Sequence, residues 1–144
     1  SERAEALNGY VGRVIRRPLG KLLDFLDSTE SLLATHPNNP TTIASRPSYS
    51  RKAARNLLSQ YDSKEVRRGI DTLRKRIEKH FGDADEEAIS HKLIAVVSKN
   101  CQAAYEKAID RMERIISQVY PAAEGEKSVE IDFSKTDVEA GFRR

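Results

Sequence analysis

The sequence predicts an all-α fold, an elongated helical bundle of about four to five helices. Three observations carry that expectation. Apolar residues recur at steps of three and four through most of the chain, a spacing that gathers them on one face of a helix. Charged residues reach 33% against 38% hydrophobic, with no Trp, a balance that suits surface-rich helices better than a thick-cored sheet protein. Side chains able to cap helix N-termini stand where the periodic stretches begin.

The 144 residues suggest a single helical-bundle domain spanning 1–144, large enough to bury a core without disulfides or metal. Ser1 opens the chain without an initiator Met or a hydrophobic leader, so the sequence reads as a fragment cut from a longer protein. The lone cysteine, Cys101, allows no internal disulfide and points to a reducing, cytoplasmic setting. It is expected to be a small core residue. No stretch approaches the roughly 18 apolar residues of a membrane span.

The first helical segment runs from about Ala4 to Ala34, with Leu7, Tyr10, Val14, Leu19, Leu22 and Leu26 among its inward positions. Pro18 interrupts it: either the helix kinks or breaks there, or Pro18 occupies the first turn of a second helix, where its missing N–H costs nothing. Residues 35–48 contain three prolines and many small polar residues, and are expected to form a Pro-rich flexible loop. Ser48 or Ser50 caps a helix from about Arg51 to Gln60. Asp62 or Ser63 caps the next, which runs to about His80 with Val66, Ile70, Leu73 and Ile77 inward. Gly69 lies inside this helix at a cost of about 1 kcal/mol relative to Ala, either to permit close helix–helix approach or as tolerated drift. Gly82 is expected to end it at the C′ position.

Asp83 and Asp85 are expected to open the longest helix, with Glu86 and Glu87 in its first turn complementing the helix dipole. Its inward face is read as Ile89, Leu93, Val96, Val97, Cys101 and on to Val119, before Tyr120-Pro121 stops it. Residues 121–144 form an extended tail, alternating from Val129 to Phe133, followed by a short terminal helix whose Ser134…Asp137 resembles a capping box.

Catalytic and metal chemistry find no footing. His36, His80 and His91 are scattered, and the acidic run from Asp83 to Glu87 lacks the glycine and spacing of a calcium loop. Gly9 and Gly12 fall in a helical pattern rather than after a strand, so they form no phosphate loop. No catalytic residue, cofactor, metal or small-molecule substrate is expected, and the protein is not read as an enzyme.

The polar feature of interest is a charge asymmetry. Residues 51–81 hold ten Lys/Arg against four Asp/Glu, whereas 82–120 and 121–144 are each net acidic. Lys64, Arg68, Lys75 and Lys79 fall at steps of 4, 7 and 4 and share one helical stripe. The bland interpretation is a solvated face with local ion pairs such as Asp71 with Lys75. The functional one is a contact for a partner protein or an acidic phospholipid surface, with Lys64, Arg67, Arg68, Lys75 and Lys79 as its candidate residues. Nucleic acid is disfavoured because aromatics for base stacking are absent between Tyr61 and Phe81.

The run from Tyr61 to Phe81, above all its Lys64-Glu-Val-Arg-Arg-Gly-Ile-Asp71 core, resembles the C-terminal region of the exocyst complex component 1 family, the Sec-three subunit. Arg17-Pro18-Leu19 with Phe25, and the stretch continuing to Tyr120-Pro121 and Phe133, fit the same pattern. The proline-rich loop points to a fungal member. The resemblance implies a tethering-complex helical rod of which this is the last bundle. It implies cytoplasmic subunits, peripheral at plasma-membrane sites of secretion, that tether vesicles before exocytosis, with other exocyst subunits as partners. The family's small-GTPase and phosphoinositide module lies at the other end of the protein, so no such site is carried onto these residues.

Overall fold

The structure, a computed structural model, describes residues 2–82 and 86–143. Five α-helices, α1 (Glu2–Thr35), α2 (Arg51–Leu58), α3 (Ser63–Phe81), α4 (Glu87–Val119) and α5 (Lys135–Phe142), form an all-α bundle with no strand among the described residues. The 33 residues of α4 reach about 50 Å at 1.5 Å per residue. The 34-residue α1 lies along it, and α3 and α5 close the bundle. One continuous core runs through all five helices, with Leu26, Ala54, Ile70, Val97, Cys101 and Val138 fully enclosed. Burial pushes the Cys101 thiol up to about 12, so it stays protonated and behaves as a small apolar group.

Pro18 neither breaks α1 nor opens a second helix. The ring sits where α1 crosses α3 at Gly69: a Cβ on Gly69 would approach Pro18 Cβ to 3.3 Å. The glycine therefore serves close approach between the two helices. One turn beyond Pro18, the Leu22 N–H donates to the Tyr61 hydroxyl at 3.2 Å, giving this buried amide a partner outside its own helix.

Three other expectations are corrected. Gly82 ends α3 in right-handed geometry, with φ −72°, not in the left-handed conformation of a C′ glycine. Its lack of a side chain matters for space, since a Cβ would lie 2.5 Å from the Glu78 carbonyl oxygen. The stripe of α4 is rotated at its start: Ile89 and Val96 are exposed, while Ser90 and Val97 face inward. Ser90 turns in because its hydroxyl donates to the Phe81 carbonyl at 2.7 Å, satisfying an orphan acceptor at the end of α3. Glu86 is the N-cap residue rather than part of the first turn; the expected start at Asp83 and Asp85 lies outside the described residues. Between α1 and α2, Pro40–Ser45 and Pro47–Tyr49 wind into two 3-10 turns, and Ile43 is fully buried. Proline's fixed φ suits the first position of such turns, and Ile43 plugs them into the core against α1 and α4.

The tail returns across the bundle with Val129 and Phe133 buried. Ser134 and Asp137 form a full capping box at the start of α5. The same Asp137 carboxylate accepts from Ser63 Oγ at 2.8 Å and pairs with Arg67 at 3.2 Å, fastening α5 to α3. The hydrogen bond from Ser63, above all, holds the Asp137 carboxyl below the usual carboxylate range. Asp137→Ala is expected to cost about 1–2 kcal/mol. A depressed folded-state pKa stabilises above the unfolded value and loses that contribution as pH falls through the folded one. Thermal melts of the two proteins should therefore differ at pH 7, and the difference should shrink as pH falls below the ordinary carboxylate range.

Candidate interaction surface

The basic helix α3 presents three faces. Val66, Ile70, Leu73 and Ile77 point into the core. At about 100° per residue, Lys64, Arg68, Lys75 and Lys79 fall within about 60° of each other on the opposite side. All four are exposed. Arg67 leaves this stripe and turns to Asp137 on α5. Within the stripe, Arg68 pairs with Glu65 at 3.1 Å and Lys75 with Asp71 at 3.1 Å, the local neutralisation expected of i, i+3 and i, i+4 neighbours. Lys64 and Lys79 have no ion-pair partner among the described residues.

The third face of α3 meets α1 in an arrangement that sequence reasoning missed. Arg13 and Arg17 of α1 join Arg76, Lys79 and His80 of α3 along one groove. Neither Arg13, Arg17 nor Arg76 has an ion-pair partner among the described residues. At one end, Tyr10 stacks on His80 with ring centroids 4.6 Å apart, and both meet Phe81 edge-on. Burial pushes the Tyr10 hydroxyl up, partly offset by the nearby Arg76 and Arg13 charges. At the other end, the groove continues into a cleft beneath Pro18 and Gly69, floored by Tyr105. The i, i+4 spacing of Arg13 and Arg17 was a usable signal for a basic edge on α1, but only the crossing at Gly69 brings that edge to α3.

Nothing in this surface gathers three or more His, Cys, Asp or Glu side chains among the described residues. No helix there is long and apolar enough to cross a membrane. The arrangement can recognise acidic groups through guanidinium and ammonium donors on a rigid helical frame.

Comparison with known proteins places this frame. The profile of the family described as "Exocyst complex component Sec3, C-terminal" matches residues 4–122. The chain belongs to that family. Relatives of this Sec3 C-terminal chain include exocyst complex component 1 of Drosophila melanogaster, 27% identical over 138 residues, or 96% of the chain. The protein of the same name from Mus musculus is 26% identical over 132 residues, or 92%. In each case the Sec3 C-terminal chain spans 14% of the relative's length. No solved structure matches it.

Proposed function

We propose that this chain is a structural and protein-interaction module of the exocyst, acting in vesicle tethering and exocytosis at the plasma membrane. The supporting observation is the family match over residues 4–122 on a continuous helical core. Its working groups are the charged outer faces: the α3 stripe and the groove between α1 and α3. Apolar burial, at about 25 cal/mol per Å², keeps those faces in fixed relation, and their charges select acidic surfaces on other exocyst subunits.

The test is capture of purified exocyst subunits on the immobilised chain. At least one subunit should bind, and reversal of Lys64, Arg68, Lys75 and Lys79 to Glu should weaken that binding and its salt dependence. Capture of none would leave only a scaffold role within the subunit's own rod. A second reading, contact with acidic phospholipid, is favoured by Lys64 and Lys79, which point outward without ion-pair partners among the described residues. Each basic side chain near an anionic membrane contributes about 1 kcal/mol. Sedimentation with phosphatidylserine vesicles that is unchanged by the four reversals would exclude it.

A further inference from the structure

A cleft of about 320 Å³ opens where α1 crosses α3. Gly69 keeps it open, because a Cβ there would stand 3.3 Å from Pro18 Cβ and 3.9 Å from the Tyr105 hydroxyl oxygen. Tyr105 is 1% exposed, and its hydroxyl has no hydrogen-bond partner among the described residues. Arg76, which also lines the cleft, buries one guanidinium nitrogen, Nη1, equally without a partner among them. Buried polar groups are nearly always satisfied, because leaving one unmade forfeits its hydration with nothing in return. Two such groups line one cleft and can donate to a common acceptor.

The chemistry of the missing partner follows from the groups present. A guanidinium can only donate, and burial pushes the Tyr105 hydroxyl up, so it too remains a donor. The partner must bring acceptor oxygens. Arg76 and Arg17 at the cleft make an anion the complementary choice. Val14, Leu19, Val66 and Leu73 make part of the wall apolar, beside Gln60, Glu65, Arg68 and Thr72. A phosphate monoester, carrying close to two charges at neutral pH, would give up far more hydration against the apolar part of that wall than a single carboxylate on an apolar stem.

We propose that this cleft binds a carboxylate carried on an apolar body, an acidic side chain of a partner polypeptide, through the Tyr105 hydroxyl and the Arg76 guanidinium. Arg13, Arg17 and Lys79 along the adjoining groove steer an acidic segment toward it. The assignment deepens the protein-interaction role proposed above and rests on it for the identity of the occupant.

The experiment uses the chain alone, with amide and arginine side-chain resonances followed by NMR. The probes are hexanoate, a blocked Leu-Glu-Leu tripeptide, hexanol, inorganic phosphate and phosphatidylserine vesicles. Hexanoate and the tripeptide should shift the Gly69 amide saturably, and hexanol and phosphate should bind at least about tenfold more weakly. Tyr105→Phe and Arg76→Gln should each weaken hexanoate about tenfold. Tyr105→Phe should also raise the melting temperature, since it removes an unsatisfied hydroxyl and keeps the ring. No saturable shift with hexanoate would overturn the assignment. So would preference for phosphate or vesicles, or a Tyr105→Phe protein that binds as well as the parent or melts lower. Because no exocyst subunit is present, a blank here does not bear on subunit capture, and failed capture does not bear on the cleft.

Discussion

Replacing Ile70 by alanine is expected to destabilise the fold by about 2–5 kcal/mol and to lower the melting temperature by on the order of 10 °C. Ile70 is fully buried at the middle of α3. Its side chain lies directly beneath the backbone of α5: a Cβ on Gly141 would come within 2.9 Å of Ile70 Cδ1 and 3.1 Å of Cγ2. The alanine variant loses the transfer free energy of three carbon groups and leaves a cavity besides. Collapse into that cavity is hindered because Asp137 fastens α5 to Ser63 and Arg67. Urea titration of both proteins measures the difference. A loss below about 1 kcal/mol would mean that α5 settles freely into the space.

The same contact predicts a coupled response at Gly141. Alanine there gains up to about 1 kcal/mol of helix propensity, yet it must displace Ile70. The Cδ1 atom can swing aside, but Cβ, at 3.3 Å from the new methyl, is fixed by the α3 backbone, and Cγ2, at 3.1 Å, by the one χ1 rotamer that a helix favours for isoleucine. Overpacking of this kind costs about 1–3 kcal/mol, so Gly141→Ala should destabilise. In the Ile70→Ala background, which removes both Cδ1 and Cγ2, its cost should fall. Purely additive values would show that the two residues do not share this space.

Helices α1 to α4 were legible because each buries one face, and a buried face writes its period into the sequence. The capping box of α5 was legible for a similarly local reason, since Ser134 and Asp137 satisfy each other within four residues. What the sequence hid was tertiary. The phase of α4 at Ser90 depends on a carbonyl of α3. The passage of Pro18 through α1 depends on a glycine fifty-one residues away in the chain. Ile43 looked like one apolar residue among prolines, and its burial is decided by where α1 and α4 leave room. At the surface, the stripe of Lys64, Arg68, Lys75 and Lys79 follows from helical spacing alone, as does the pairing of Lys75 with Asp71. The Arg13–Arg17 edge and the orphaned Tyr105 hydroxyl required the α1–α3 crossing, which no local pattern announces.

Arg111→Met is the second large change expected, at about 2 kcal/mol of stability. Arg111 projects from α4 to the two acids of α1, with Nη2 at 2.6 Å from Glu30 and 2.7 Å from Asp27, and Nε at 3.0 Å from the other Glu30 oxygen. Its side chain is 19% exposed, while those of Glu30 and Asp27 are 36% and 59% exposed. Exposed pairs contribute about 0–1 kcal/mol and breaking a buried pair costs about 3–5. This one lies between: the fork is bidentate and mostly enclosed, but the released carboxylates can reach water. The hydrogen bonds that Arg111 donates to Glu30 outweigh burial and push the guanidinium's pKa up, so the charge is permanent. Arg111→Lys should recover only part of the loss, because an ammonium cannot bridge both Glu30 oxygens in the plane of the fork. A double-mutant cycle with Glu30→Gln should give a coupling of about 1–2 kcal/mol, and a value near zero would reduce the contact to an ordinary surface pair. The pair matters beyond stability because α1 and α4 are the two long members of the bundle. A clamp between them resists sliding of one along the other, and so helps to hold the groove residues on α1 in register against α3.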